Sequence, residues 1–215
     1  MNVPSNKVQQ ANGKLDSGGK TSLRAGDLDF EIEATSCRKE TDLIQFCAGK
    51  TRISVHGDGR GFEQTLEVPS FYFDSANSVY RGPLDASYKI RGHSIVISDV
   101  NEDGKEDILI WTGKEGAYGG PSYDVYLFEA SSGNYVHSAD FSELTQGYNG
   151  LFFVEQGRIK AVSSEGCCLH VQDTFEVKGN KPVLVERITE DTSNPDAPKK
   201  TVERLLNGEL KEVRN

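Results

Sequence analysis

Apolar and polar residues alternate along much of the chain in short runs, broken every few residues by Gly, Asn, Asp or Ser. Successive side chains of a strand point to opposite faces, so this period of two predicts strands with one face buried. Runs rich in β-branched and aromatic residues occupy positions 30–34, 51–55, 65–68, 94–98, 108–112 and 124–129, and each predicts a strand. Three hairpins follow: 151–154 with 158–162 through Glu155-Gln156-Gly157, 174–177 with 182–187 through Gly179-Asn180, and 205–206 with 210–213 through Asn207-Gly208. Gly and Asn supply the positive φ values that tight hairpin turns require. Strands at this spacing predict an all-β fold, a small propeller-like arrangement of antiparallel sheets, with a β-sandwich as the alternative.

The opening of the chain lacks this pattern. Residues 1–27 are rich in Asn, Gln, Ser, Lys and Gly, and such a segment buries too little apolar surface to offset its ordering entropy. It is expected to be a flexible tether, with residues 28–215 as a single all-β domain. Residues 190–200, with Pro195 and Pro198 among Asp, Ser and Asn, predict an exposed loop before the last hairpin.

Charge removes one class of partner. A net charge of −9 is the wrong sign for nucleic acid, whose binding relies on clustered Lys and Arg. No run approaches the roughly 20 apolar residues that cross a bilayer. The first 19 residues have neither the basic nor the apolar region of a signal peptide, so any anchor or signal would belong upstream of this chain. Four cysteines, Cys37, Cys47, Cys167 and Cys168, fit no zinc spacing and permit three disulfide connectivities. Their proximity in sequence favours Cys37 with Cys47 and Cys167 with Cys168, in an oxidising compartment.

The densest chemistry lies in Asp99-Val100-Asn101-Glu102-Asp103-Gly104-Lys105-Glu106-Asp107. Oxygen-bearing side chains at alternate positions, with Gly at the sixth, form the pattern of a Ca²⁺ loop. Asp99, Asn101, Asp103, the Lys105 carbonyl and Asp107 are the candidate ligands. An EF-hand would carry Glu at the twelfth position, where this chain has Ile110. The flanking apolar runs make the loop a metal-stapled turn between two strands. The next connection, Gly113-Lys114-Glu115-Gly116-Ala117-Tyr118-Gly119-Gly120-Pro121, presents one aromatic ring among glycines. Gly116, Ala117, Gly119 and Gly120 would let Tyr118 project as an anchor for a partner's pocket.

No catalytic residue is assigned. The chain lacks His-Glu-x-x-His, Gly-x-Ser-x-Gly and a phosphate-cradling loop. His56, His93, His137 and His170 are scattered through strand patterns.

Two resemblances sharpen the expectation. Asp99 to Asp107, followed by Ile108-Leu109-Ile110, resembles the calcium loops of FG-GAP and integrin-type propeller repeats. The run Tyr118-Gly119-Gly120-Pro121-Ser122-Tyr123-Asp124-Val125-Tyr126-Leu127-Phe128, with Ser164-Glu165-Gly166-Cys167-Cys168-Leu169-His170 and Pro182-Val183-Leu184-Val185-Glu186, is similar to periplasmic immunity lipoproteins that accompany bacterial type IV secretion toxins. That similarity covers about residues 50–215. It implies a propeller-like fold, one Ca²⁺, a periplasmic location with a lipid anchor ahead of this chain, and inhibition of a lysozyme-like or chitinase-like peptidoglycan hydrolase. Tyr118 matches the tyrosine that such inhibitors insert into the active-site cleft. The ion would fix the turn that precedes the Tyr118 loop and so preorganise it. The competing expectation is a calcium-stabilised surface adhesion or carbohydrate-binding module.

Overall fold

The computed structural model describes residues 8–57, 61–85 and 92–213. The chain opens with β1 (Gln9–Ala11), β2 (Lys20–Ala25) and β3 (Leu28–Glu33), followed by β4 (Cys37–Lys39) and β5 (Ile44–Cys47). Next come β6 (Thr51–Gly57), β7 (Glu63–Val68), β8 (Phe71–Asp74) and β9 (Val79–Arg81). The middle holds β10 (Ile95–Ser98), β11 (Asp107–Gly113), β12 (Ser122–Glu129), β13 (Asn134–Ser138) and a short helix α1 (Ala139–Glu143). The last part comprises β14 (Phe153–Glu155), β15 (Arg158–Glu165), β16 (Leu169–Lys178), β17 (Lys181–Asp191), β18 (Lys199–Leu206) and β19 (Glu209–Glu212).

Among the described residues these strands form four sheets with no closed barrel, which is the all-β class that the sequence predicts. A six-stranded sheet runs β1-β9-β10-β11-β12-β13, antiparallel except where β9 meets β10. A four-stranded sheet runs β2-β3-β6-β7, a three-stranded one β4-β5-β8, and a six-stranded meander β14 to β19 closes the chain. The three predicted turns have the expected geometry, with positive φ at Gln156 and Gly157, at Gly179 and Asn180, and at Asn207 and Gly208.

The central sheet is buried on both faces, and its period of two divides two cores. Ile95, Ile97, Ile108 and Ile110 face one side and pack with Phe30, Ile32, Ile53, Val55, Leu66 and Val68 of the four-stranded sheet. Val96, Leu109, Trp111, Val125 and Leu127 face the other, with Phe141, Phe152, Ile159, Ala161 and Phe175. This explains why β10 and most of β11 read as continuous apolar runs, because a strand covered on both sides has no polar face to show.

The expected tether is corrected. Its first seven residues lie outside the described residues, but from Gln9 onward it is built into sheets. β1 pairs with β9, β2 pairs with β3, and Leu15, Leu23 and Ala25 are buried in the first core. Polar composition misled here because β1 contributes backbone hydrogen bonds and β2 buries only alternate residues. The expected 190–200 loop is also shorter, since β17 runs to Asp191 and β18 starts at Lys199.

Candidate functional site

The acidic loop connects β10 to β11, and Val100, fully buried, pins its start in the second core. The loop curls on its own side chains. Asp99 accepts hydrogen bonds from the Asp103 and Gly104 amides at 3.1 and 2.9 Å, and Asp103 Oδ1 accepts from Lys105 N at 2.8 Å. Asn101 Oδ1 accepts from Asp103 N at 3.2 Å, while its Nδ2 donates to Asn180 Oδ1 in the β16–β17 turn at 3.3 Å. Gly104 has φ +81°, a conformation that side chains rarely adopt.

Asp107 closes the loop at the first position of β11 and is wholly buried. Its oxygens accept from Val100 N and Phe128 N, both at 2.9 Å, tying the loop to the far end of β12. Burial pushes its carboxyl up to about 7, with Asp103 and Asp99 adding repulsion. Burial also raises Asp99, and Asp103 contributes. Among the described residues no three carboxylate, thiol or imidazole groups converge into a ready-made metal cage. The donor chemistry nevertheless fits a hard cation: three carboxylates, one amide oxygen and a backbone carbonyl on a tightly wound loop, with charge that burial disfavours.

The second connection of interest leaves the opposite end of β11. Gly116 N donates to Gly120 O, Gly119 N to Gly116 O and Gly120 N to Ala117 O, each at 3.1 Å, closing a tight loop around a single 3-10 turn at Ala117–Gly119. A Cβ on Gly116 would lie 2.8 Å from Gly120 O, so the crossing requires glycine there. Tyr118 itself is left-handed, with φ 57° and ψ 27°, an outlier for a bulky residue. It is 76 % exposed. The sequence suggests an isolated ring, but the structure ties its hydroxyl down: Tyr118 Oη donates to Ser164 O and accepts from Gly166 N, both at 3.0 Å.

A second segment braces the loop from below. Ala117 N donates to Tyr148 O at 2.7 Å and Gly147 N to Glu115 O at 2.9 Å. Tyr148 Oη donates to Asp173 at 2.8 Å, and the buried Asp173 carboxylate takes two hydrogen bonds from Arg187, both 2.7 Å. Burial and Asp173 raise the Tyr148 hydroxyl's pKa, so the donor stays protonated. The sequence gives no sign of this support or of the Ser164–Gly166 hold, because both depend on which distant strands pair.

The cysteines form two bonds, Cys37–Cys47 and Cys167–Cys168, with no free thiol among the described residues. The first joins β4 to β5 where the two residues face each other in register. The second lies in the β15–β16 turn, directly beyond the residues that hold Tyr118. The histidines stay apart: His93 is buried, His137 Nε2 lies 3.3 Å from Ser142 Oγ, and His170 Nδ1 lies 3.0 Å from Ser164 Oγ.

The acidic loop and the Tyr118 loop therefore lie at opposite ends of β11. An ion at the first does not adjoin the second, so the expected direct bracing of the Tyr118 loop is replaced by the contacts to Tyr148, Ser164 and Gly166.

No helix among the described residues is long and apolar enough to cross a membrane. No protein-family model matches the chain, and no curated protein matches it. A solved structure described as a Xanthomonas type IV secretion system related protein is 44 % identical, covering 97 % of this chain and 100 % of its own, with a TM-score of 0.93. The likeness extends well into the first 49 residues, beyond the span that the sequence motifs mark. The chain therefore belongs to the family of that Xanthomonas type IV secretion system related protein.

Proposed function

We propose that the protein is an immunity protein that binds and inhibits a lysozyme-like peptidoglycan hydrolase toxin in the periplasm by inserting the Tyr118 loop into its active-site cleft. It performs no catalysis of its own. The observation that carries this reading is a tyrosine 76 % exposed yet held by its backbone and its hydroxyl. A ring ordered before binding loses little entropy on entering a pocket, and buried aromatics are frequent anchors of interfaces. The disulfides suit an oxidising compartment, and the relative's link to type IV secretion suits a toxin delivered by that route. A net charge of −9 favours encounter with a cationic hydrolase.

Asp99, Asn101, Asp103, the Lys105 carbonyl and Asp107 would hold a Ca²⁺. When bound, the ion would neutralise the acidic turn between β10 and β11, and any stiffening of the Tyr118 loop would pass along β11. Sugar binding on a surface adhesin would favour several exposed rings on one rim, whereas Tyr118 is the one strongly exposed aromatic among the described residues.

The test is inhibition of the lysozyme-like hydrolase that this chain captures in Ca²⁺, assayed on purified peptidoglycan. Tyr118→Ala should weaken inhibition by about 2 kcal/mol, roughly 30-fold, with an unchanged melting temperature, since the ring lies outside both cores. Equal inhibition by the variant would remove Tyr118 from the interface. Turnover of peptidoglycan by the chain alone would replace an inhibitor with an enzyme.

A further inference from the structure

We propose that the Cys167–Cys168 turn is a clasp that positions Tyr118, so that the two loops act as one tip. The inference rests on the inhibitor reading for its purpose but not for its geometry. Tyr118 occupies a left-handed conformation that a bulky residue reaches only when its surroundings hold it there. The glycines beside it permit the loop to close, but they do not direct the ring. The direction comes from the hydroxyl, which is fixed by one acceptor near the end of β15, Ser164 O, and one donor in the β15–β16 turn, Gly166 N.

A clasp works only if it is itself immobile, and the turn is restrained on both sides. On its near side Asn149 N donates to Val162 O at 2.6 Å, and Asn149 Nδ2 donates to Ser164 Oγ at 2.8 Å. Ser164 Oγ also meets His170 Nδ1 across the strand pair. On its far side the Cys168 carbonyl accepts from Thr192 N at 2.8 Å and from Thr192 Oγ1 at 3.2 Å. Between them the bond from Cys167 to Cys168 closes a ring on a single peptide unit. That closure removes conformations from the residues that follow Gly166, which sits at φ +64° and has no Cβ to confine it. A structural disulfide would be expected to join distant segments, as Cys37–Cys47 joins two strands. A bond between neighbours fastens nothing but the turn, whose contacts run on one side to Thr192 and on the other to the Tyr118 hydroxyl.

Removing the bond should let Gly166 drift while Ser164 stays in the β15–β16 ladder, so that one of the two hydroxyl contacts loosens, the ring samples other directions and binding must reorder it. Three variants test this: Tyr118→Phe, which deletes both hydroxyl contacts and keeps the ring; the pair Cys167→Ala with Cys168→Ala; and all three changes together. The first measurement needs no partner. A fluorotyrosine at position 118 should give one narrow ¹⁹F resonance in the parent and a broadened or shifted one in the disulfide-free protein. The second is inhibition of the captured hydrolase. Tyr118→Phe and the disulfide-free protein should each be weakened about tenfold, and the combination no further, because partners in one contact are not additive.

An unchanged resonance with unchanged inhibition in the disulfide-free protein overturns the clasp. Effects that multiply also overturn it, since they would place the hydroxyl directly on the partner. If the disulfide-free protein does not fold, Tyr118→Phe decides alone, and full inhibition by that variant refutes the inference. Loss of the inhibitor reading is separately visible: the parent itself would then leave the hydrolase active, while the ¹⁹F resonance would still report whether the turn holds the ring.

Discussion

Asp103 lies between two carboxylates that it repels, and this gives its removal different consequences in two conditions. In chelator, Asp103→Ala removes a charge that raises both Asp99 and Asp107, which offsets the loss of two hydrogen bonds, donated by Lys105 N and Asn101 Nδ2, so little stability should change. In Ca²⁺ the parent should gain about 2.7 kcal/mol at one hundred times Kd, and the variant should lose most of that gain. Thermal melts of both proteins in the two buffers make the comparison; a parent that melts identically in both has no such ion. His93 supplies a second expectation. Burial holds its imidazole below the ordinary value of 6.5, so the unfolded chain binds the proton more readily and stability falls as pH drops through about 6.5. His93→Phe should flatten that limb in urea titrations run in saturating Ca²⁺ between about pH 7.5 and 5.5. The carbonyl of residue 93 would still accept from Tyr123 Oη.

At the level of elements, the first 27 residues separate the two accounts of the chain most sharply. A tether would tolerate any small substitution, whereas Leu23 is 5 % exposed on β2 within the first core. Leu23→Ala should therefore cost about 2–5 kcal/mol in denaturant unfolding. Strands whose pattern is local were legible in the sequence: the runs that became β3, β6, β11 and β12, and turns such as Gly179-Asn180 whose backbone sign is written in their residues. Strands defined by their partners were not. β4 is exposed at all three positions and exists through pairing with β5, while β1 exists through β9. The candidate site divides in the same way. Glycines mark the Tyr118 loop and alternating oxygens mark the acidic loop, but the hold on the Tyr118 hydroxyl comes from residues 46 and 48 positions away. No local signal announces such a contact.

Across the whole molecule, the central sheet carries both cores, and β11 runs through the middle of it with the acidic loop at one end and the Tyr118 loop at the other. Seven residues of strand separate them, about 20 Å, too far for an ion to touch anything bound at the tip. Both of its faces are packed, so it has little freedom to bend independently of the sheet. If Ca²⁺ tightens the grip on a hydrolase by some factor, thermodynamic reciprocity requires the hydrolase to tighten the grip on Ca²⁺ by the same factor. Calcium affinity measured with and without the captured hydrolase, beside hydrolase affinity measured with and without calcium, should give equal ratios. A ratio of one in both would make the ion a fixture of the fold alone. A ratio above one would make the inhibitor retain its metal most firmly while engaged, so that a fall in calcium would strip unbound copies first and leave established complexes intact.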